Sequence, residues 1–227
     1  KHRLRPAPPA WPAARAPSLC HLAASPLGAP EASVQLISES PLLLVFDNFL
    51  AAEECAELMS IAEPDLRRSR VTDGKLSDGR TSSSTFLTGA KQDEPIVRTV
   101  ERRVLRAVKS AGRIAARRAE ERRRAGGHAC ALSGAEPMQV VKYDAEQFYR
   151  AHHDQNSALE APQGPRVLTF FMYLNEPESG GETRFPSIGP SPGLTVSPKL
   201  GHAILWPSTL DERPMAEDSR TLHEAMP

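Results

Sequence analysis

The 227-residue chain is long enough for one domain and a tail, and a hydrophobic content of 40% supports a packed core. Its 28 Lys and Arg balance its 28 Asp and Glu, so bulk charge selects no polyanionic partner. Three cysteines (Cys20, Cys55 and Cys130) are too few for a disulfide scaffold, and the sequence does not choose a pair among them. No apolar run reaches the ~18 residues of a membrane-spanning helix, so membrane attachment is expected only through a segment outside the sequence given. That sequence begins with Lys1, as a fragment whose leader or anchor has been removed would.

Residues 1–33 are rich in Pro and Ala, with Lys1, Arg3, Arg5 and Arg15 and no acidic residue before Glu31. Such a segment buries too little apolar surface to offset its ordering entropy, so it reads as a disordered linker or targeting remnant. The folded domain is expected over 34–227. Val34 to Asp47 alternates and then runs apolar, which predicts one or two strands separated at Pro41.

Cys55, Leu58, Met59 and Ile61 recur at helical spacing after Ala51, and Glu53 and Glu54 sit where they complement the helix dipole. Pro64 ends that helix, and Cys55 reads as a small core residue. The polar stretch 65–93 holds two Asp-Gly turns and is expected to form a loop over a site, leading into a strand at Arg80 to Leu87. Pro95 suits the first turn of a long helix whose buried stripe is Ile96, Val97, Val100, Val104, Leu105 and Val108. Beyond Ser110 this helix turns to Arg and Ala as far as Gly126-Gly127. Glu120 and Glu121 are interleaved and no aromatic residue accompanies the charge, so it reads as a solvated extension and not a nucleic-acid surface.

Met138 to Tyr143 predicts the first core strand, residues 155–165 a loop, and Val167 to Leu174 a strand buried on both faces. Further strands are expected at Gly193 to Ser197, Ala203 to Trp206 and from Thr221, with a charged loop at Leu210 to Arg220. At the end of a strand-like run, His152 and Asp154 are two residues apart and would share one face. An imidazole and a carboxylate side by side are two thirds of a facial triad, the arrangement that holds Fe(II) with open positions for co-substrate and O2. His223 is the best candidate for the third ligand. His153 would face the opposite side, and spacing alone does not decide between it and His152.

The flanking residues sharpen this reading. Tyr143, Gln147-Phe148-Tyr149 and His152-His153-Asp154 follow one another, then Arg166 to Leu174 reads R-x-x-T-x-x-x-Y-L, and Gly180 to Pro186 reads G-G-E-T-x-F-P. Upstream stand Arg80-Thr81-Ser82-Ser83 with Phe86-Leu87, and Asp47-Asn48-Phe49-Leu50. In this order, over roughly residues 34–227, the chain resembles the prolyl 4-hydroxylases of the collagen, plant and algal type, which are Fe(II)- and 2-oxoglutarate-dependent dioxygenases.

The resemblance implies a mixed α/β fold of the α+β kind. Its centre would be a double-stranded β-helix, or jelly roll, with supporting N-terminal helices. It implies Fe(II) on His152, Asp154 and His223, 2-oxoglutarate as co-substrate, and hydroxylation of peptidyl proline at C4 with release of succinate and CO2. Tyr143 and Thr183 would offer hydroxyls to the far carboxylate of 2-oxoglutarate, and Tyr149 and Arg166 would contact the substrate peptide. Ascorbate as reductant, a Pro-rich or collagen-like polypeptide substrate and a place in the endoplasmic reticulum or secretory pathway are implied in the same way.

Two departures stand out. His202 occupies a turn, Leu200-Gly201-His202-Ala203, that often reads K-G-D-A in the family. The family's lysine for 2-oxoglutarate lies about ten residues beyond the distal His, whereas the given sequence stops at Pro227; Arg184 and Lys199 are substitutes without a spacing argument. The expectation is a truncated oxygenase. The alternatives are an oxygenase with another target, or a non-catalytic jelly-roll module that binds Pro-rich peptide.

Overall fold

The computed structural model describes residues 20–21, 33–71, 74–123, 135–155, 166–210 and 213–227, with side chains left aside for 20–21, 113–123 and 214–215. Most of the stretch read as a linker lies outside these residues, as do Gly126-Gly127 and the loop at 156–165. Strand β1 (Cys20–His21) falls within the linker stretch and pairs with the next strand. The described elements continue with β2 (Ser33–Glu39), β3 (Leu42–Asp47), helix α1 (Ala52–Ala62), β4 (Arg67–Arg68), β5 (Ser83–Phe86) and helix α2 (Pro95–Arg123). The second half holds β6 (Gln139–Lys142), β7 (Tyr149–His152), β8 (Leu168–Met172), β9 (Thr183–Phe185), β10 (Leu194–Val196), β11 (Ala203–Pro207), β12 (Thr209–Leu210), β13 (Arg213–Glu217) and β14 (His223–Ala225).

Two antiparallel sheets carry the fold. One is five-stranded in the order β1-β2-β3-β11-β8, and the other four-stranded in the order β10-β9-β14-β7. Side-chain alternation explains how they are layered. On β11, Ala203 and Leu205 join the cluster formed with Leu58 of α1 and with Val97 and Val100 of α2. Ile204 and Trp206, one residue out of step, join Phe185 of β9 and Val196 of β10 in a second cluster. The five-stranded sheet is therefore apolar on both faces, with the helices on one side and the smaller sheet on the other. The continuous apolar runs at 42–46 and 203–206 are the sequence trace of this sandwiching.

Several expectations change in the structure. The strand at Met138 to Tyr143 belongs to neither large sheet; β6 closes a separate three-stranded sheet, β4-β5-β6. Leu210 to Arg220 is not simply a loop, because β12 and β13 pair there and a 3-10 turn follows at Ser219–Thr221. On α2, Leu105 is 41% exposed, while Arg103 lies on the buried face. Arg103 is tolerated there because its guanidinium donates to Glu54 Oε1 and Oε2 of α1 at 2.6 and 2.7 Å and to the Phe49 carbonyl at 2.8 Å. Glu54 thus serves helix packing as well as the helix start, where its Oε2 accepts the Ala51 N–H at 3.0 Å. Cys55 is a buried free thiol, as its helical spacing predicts, and Cys130 lies outside the described residues.

Candidate active site

The site lies between the two large sheets, where β7 and β14 run antiparallel. His223 opens β14 and is the direct cross-strand partner of His152, so the sheet register itself brings the two rings together, with centroids 4.3 Å apart. Strand β7 stops at His152, which places Asp154 on the bend just beyond it. The face-sharing expected of i and i+2 still holds in effect. Asp154 Oδ1 lies 3.7 Å from His152 Nε2, and Asp154 Oδ2 lies 3.6 Å from His223 Nε2. One ligand atom from each of the three residues falls within 4.8 Å of the other two.

The histidines are oriented by their other nitrogens. His152 Nδ1 is 2.9 Å from the Arg150 carbonyl and His223 Nδ1 is 3.0 Å from the Thr221 carbonyl. A carbonyl only accepts, so each Nδ1 carries a proton and each Nε2 is the nitrogen left to ligate, turned toward Asp154. Burial, followed by the neighbouring His223 ring, pushes His152 down to about 4, so at neutral pH its imidazole is uncharged and able to ligate. Asp154 is steadied from the opposite sheet by Thr169 of β8, whose hydroxyl donates to Oδ2 at 2.6 Å. His223, 6% exposed, packs between Trp206 and Phe185 at 4.9 and 5.6 Å. This donor set of two imidazoles and a carboxylate suits a divalent metal such as Fe(II).

His153 does point away. Its Nε2 lies 3.2 Å from Glu217 Oε1 on β13. His202 is also apart from the triad, 3.4 Å from Asp47 Oδ1.

The family model described as the 2OG-Fe(II) oxygenase superfamily matches residues 138–227, the segment that carries all three ligand candidates. Prolyl 4-hydroxylase 1 of Arabidopsis thaliana is 34% identical over 206 residues, covering 83% of this chain and 65% of that protein. Probable prolyl 4-hydroxylase 3 of the same plant is 31% identical over 215 residues, covering 85% of this chain and 67% of that protein. The chain belongs to the prolyl 4-hydroxylase family of 2-oxoglutarate- and Fe(II)-dependent oxygenases. It spans about two thirds of the length of these hydroxylases (65% and 67%). Among solved structures, the viral collagen prolyl hydroxylase of Paramecium bursaria Chlorella virus-1, in its 2-oxoglutarate complex, aligns with a TM-score of 0.58 at 22% identity, over 82% of this chain and 87% of that one. A Trichoplax adhaerens prolyl hydroxylase in complex with a hypoxia inducible factor peptide fragment aligns with a TM-score of 0.53 at 16% identity, over 82% and 77% of the two chains. At these identities the two structures bear on the fold, a sheet-rich mixed architecture shared with prolyl hydroxylases.

Around the triad stand the other residues singled out in the sequence. Tyr149 stacks on the His152 ring with centroids 3.5 Å apart, and the Arg80 guanidinium covers the Tyr149 ring at 4.7 Å. Arg80 is held there because strand pairing continues past β5: Arg80 bridges to Tyr149, and the Thr81 N–H donates to the Phe148 carbonyl at 2.9 Å. Tyr143 is half-buried, and desolvation raises its phenol above the ordinary value. Thr183, 6% exposed, accepts a hydrogen bond at 2.8 Å from the hydroxyl of Tyr173, a residue to which sequence reasoning gave no role. A lone Tyr in the apolar run 167–174 was the available signal, since a buried phenol needs a partner.

Arg166 is engaged by Glu136 through two bonds of 2.6 and 2.8 Å, so it stands at the site as half of an ion pair. Neither substitute for the family lysine is suitably placed. Arg184 faces away from Thr183 and pairs with Glu224 at 2.5 Å, and Lys199 is exposed.

Proposed function

We propose that this chain is the catalytic part of a peptidyl-proline 4-hydroxylase that uses Fe(II), 2-oxoglutarate and O2. The observation that carries the reading is the convergence of His152 Nε2, Asp154 and His223 Nε2, each histidine having its Nδ1 fixed on a backbone carbonyl. When bound, Fe(II) with 2-oxoglutarate activates O2, so that the keto acid is oxidised to succinate and CO2 while one oxygen atom is inserted into the C4–H bond of proline.

The chain's own residues do the positioning. His152, Asp154 and His223 would hold the metal and, being only three ligands, would leave positions for co-substrate and O2. Phe185 and Trp206 pack on His223 and exclude water from behind it. Thr183 and Tyr143 offer hydroxyls to the far carboxylate of 2-oxoglutarate. Tyr149, fixed between His152 and Arg80, lies with Arg166 along the path of the substrate peptide.

The two large sheets are read as the halves of a double-stranded β-helix, with α1 and α2 as its support. The catalytic domain is read as running over 34–227, with Cys20–His21 adding an edge strand to its larger sheet. The substrate reading, a Pro-rich or collagen-like polypeptide, draws on the family and on the viral collagen prolyl hydroxylase of similar fold. Ascorbate as the reductant and the endoplasmic reticulum as the compartment rest on the same kinship. Succinate release from 2-oxoglutarate should rise on adding a Pro-rich peptide, with 4-hydroxyproline found in the peptide. Peptide binding without succinate or hydroxyproline would point instead to a binding module.

A further inference from the structure

The turn that delivers His223 is built around a buried carboxylate that touches neither the metal ligands nor the co-substrate pocket. Asp218 is 2% exposed. Its Oδ1 accepts the Arg220 backbone N–H at 3.1 Å and the Arg220 Nε–H at 2.8 Å, and its Oδ2 accepts an Arg220 Nη2–H at 2.7 Å. The Asp218 carbonyl accepts the Thr221 hydroxyl at 2.9 Å and the Thr221 N–H at 3.0 Å. Thr221, itself 2% exposed, then presents its own carbonyl to His223 Nδ1 at 3.0 Å. The turn is moored at both ends. The Asp218 N–H donates to the Ser208 carbonyl at 3.1 Å, and Arg220 Nη1 donates to Ser40 Oγ at 2.8 Å, in the β2–β3 turn of the larger sheet.

An ionised carboxylate in such a place is costly unless every lone pair is used, so its presence calls for an explanation. Its side chain closes the 3-10 turn at Ser219–Thr221, and that turn fixes the direction of a single carbonyl, the one that sets the tautomer and ring angle of His223. His152 donates its matching bond to the carbonyl of Arg150 within its own strand, β7. His223 has no preceding strand residue to do this, because β14 begins at His223 itself.

We propose that Asp218, through its Arg220-braced turn, is a positioning residue for the third metal ligand, setting the tautomer and aim of His223 without touching the metal. The proposal rests on the reading of His152, Asp154 and His223 as metal ligands.

The test is a Co(II) titration of the full chain, followed by affinity and by the visible ligand-field spectrum, with circular dichroism and melting recorded on each variant. Asp218→Ala is expected to weaken Co(II) binding by about 10- to 100-fold and to alter the spectrum, at temperatures where the variant is fully folded. Asp218→Asn keeps an oxygen for the Arg220 N–H and should fall between Asp218→Ala and the wild type. If Asp218→Ala does not fold, Asp218→Asn and Arg220→Gln decide the matter by the same two readouts. Folded variants that bind Co(II) within about twofold of wild type, with an unchanged spectrum, would overturn the proposal. A wild type that binds no Co(II), or a His223→Ala protein that binds it as the wild type does, would instead overturn the ligand reading beneath it.

Discussion

The Thr169 hydroxyl donates to Asp154 Oδ2 across the gap between the two large sheets, at 2.6 Å. The larger sheet thereby sets the position of the carboxylate proposed as a metal ligand, which the smaller sheet supplies only through a bend. Hydrogen bonds to charged groups contribute about 1.5–3 kcal/mol. Thr169→Val, which keeps the shape and removes the donor, should therefore weaken Fe(II) binding by about tenfold or more while the fold is retained, and Thr169→Ser should recover most of the loss. Anaerobic Fe(II) titration of the variants measures both.

With Thr183 as the proposed partner of 2-oxoglutarate, Tyr173 would bear on the co-substrate in a similar indirect way. Because Thr183 Oγ1 accepts from the Tyr173 hydroxyl at 2.8 Å, its own hydrogen is left to be donated to a carboxylate. Tyr173→Phe should raise the KM for 2-oxoglutarate several-fold with a smaller change in kcat, and cost about 1 kcal/mol of stability. Steady-state kinetics beside urea unfolding separates the two effects.

The Arg103–Glu54 pair should govern the acid limb of stability. The side-chain hydrogen bonds from Arg103 hold Glu54 below its ordinary value of 4.5 despite the opposing effect of burial. A carboxylate whose folded pKa is depressed contributes stability that is whole above the unfolded pKa and is lost as pH falls through the folded one. Urea midpoints of the wild type should therefore drop on acidification from about pH 5 downward. Glu54→Gln should show a shallower fall over that range. At neutral pH, Arg103→Met, which leaves the Glu54 carboxylate short of its partner, should cost about 2–3 kcal/mol.

Much of this architecture was legible in the chain because hydrophobic period and burial agree. Leu43 and Leu44, or Ile204 and Leu205, serve clusters on opposite faces, and an unbroken apolar run is the expected trace. The triad was legible because His152, Asp154 and His223 sit within motifs whose order is specific. What the sequence did not reveal depends on pairing across distance. The cross-strand match of His223 with His152 is a matter of register. Arg103 reads as a solvated residue until Glu54, 49 positions away, is seen beside it. The β12–β13 hairpin was hidden by its charged composition and its short strands, and Asp218 read as one more charge in a loop. The role of Tyr173 needed the separation of β8 from β9 and β10 in the fold to be known.

The most direct test of the account is the anaerobic Fe(II) stoichiometry of the wild type, His152→Ala and His153→Ala. Adjacent residues are compared, and the structure turns only the first toward Asp154 and His223, while the second meets Glu217. The account predicts one bound Fe(II) in the wild type and in His153→Ala, and loss of tight binding in His152→Ala. Iron bound by His152→Ala as well as by the wild type would contradict it.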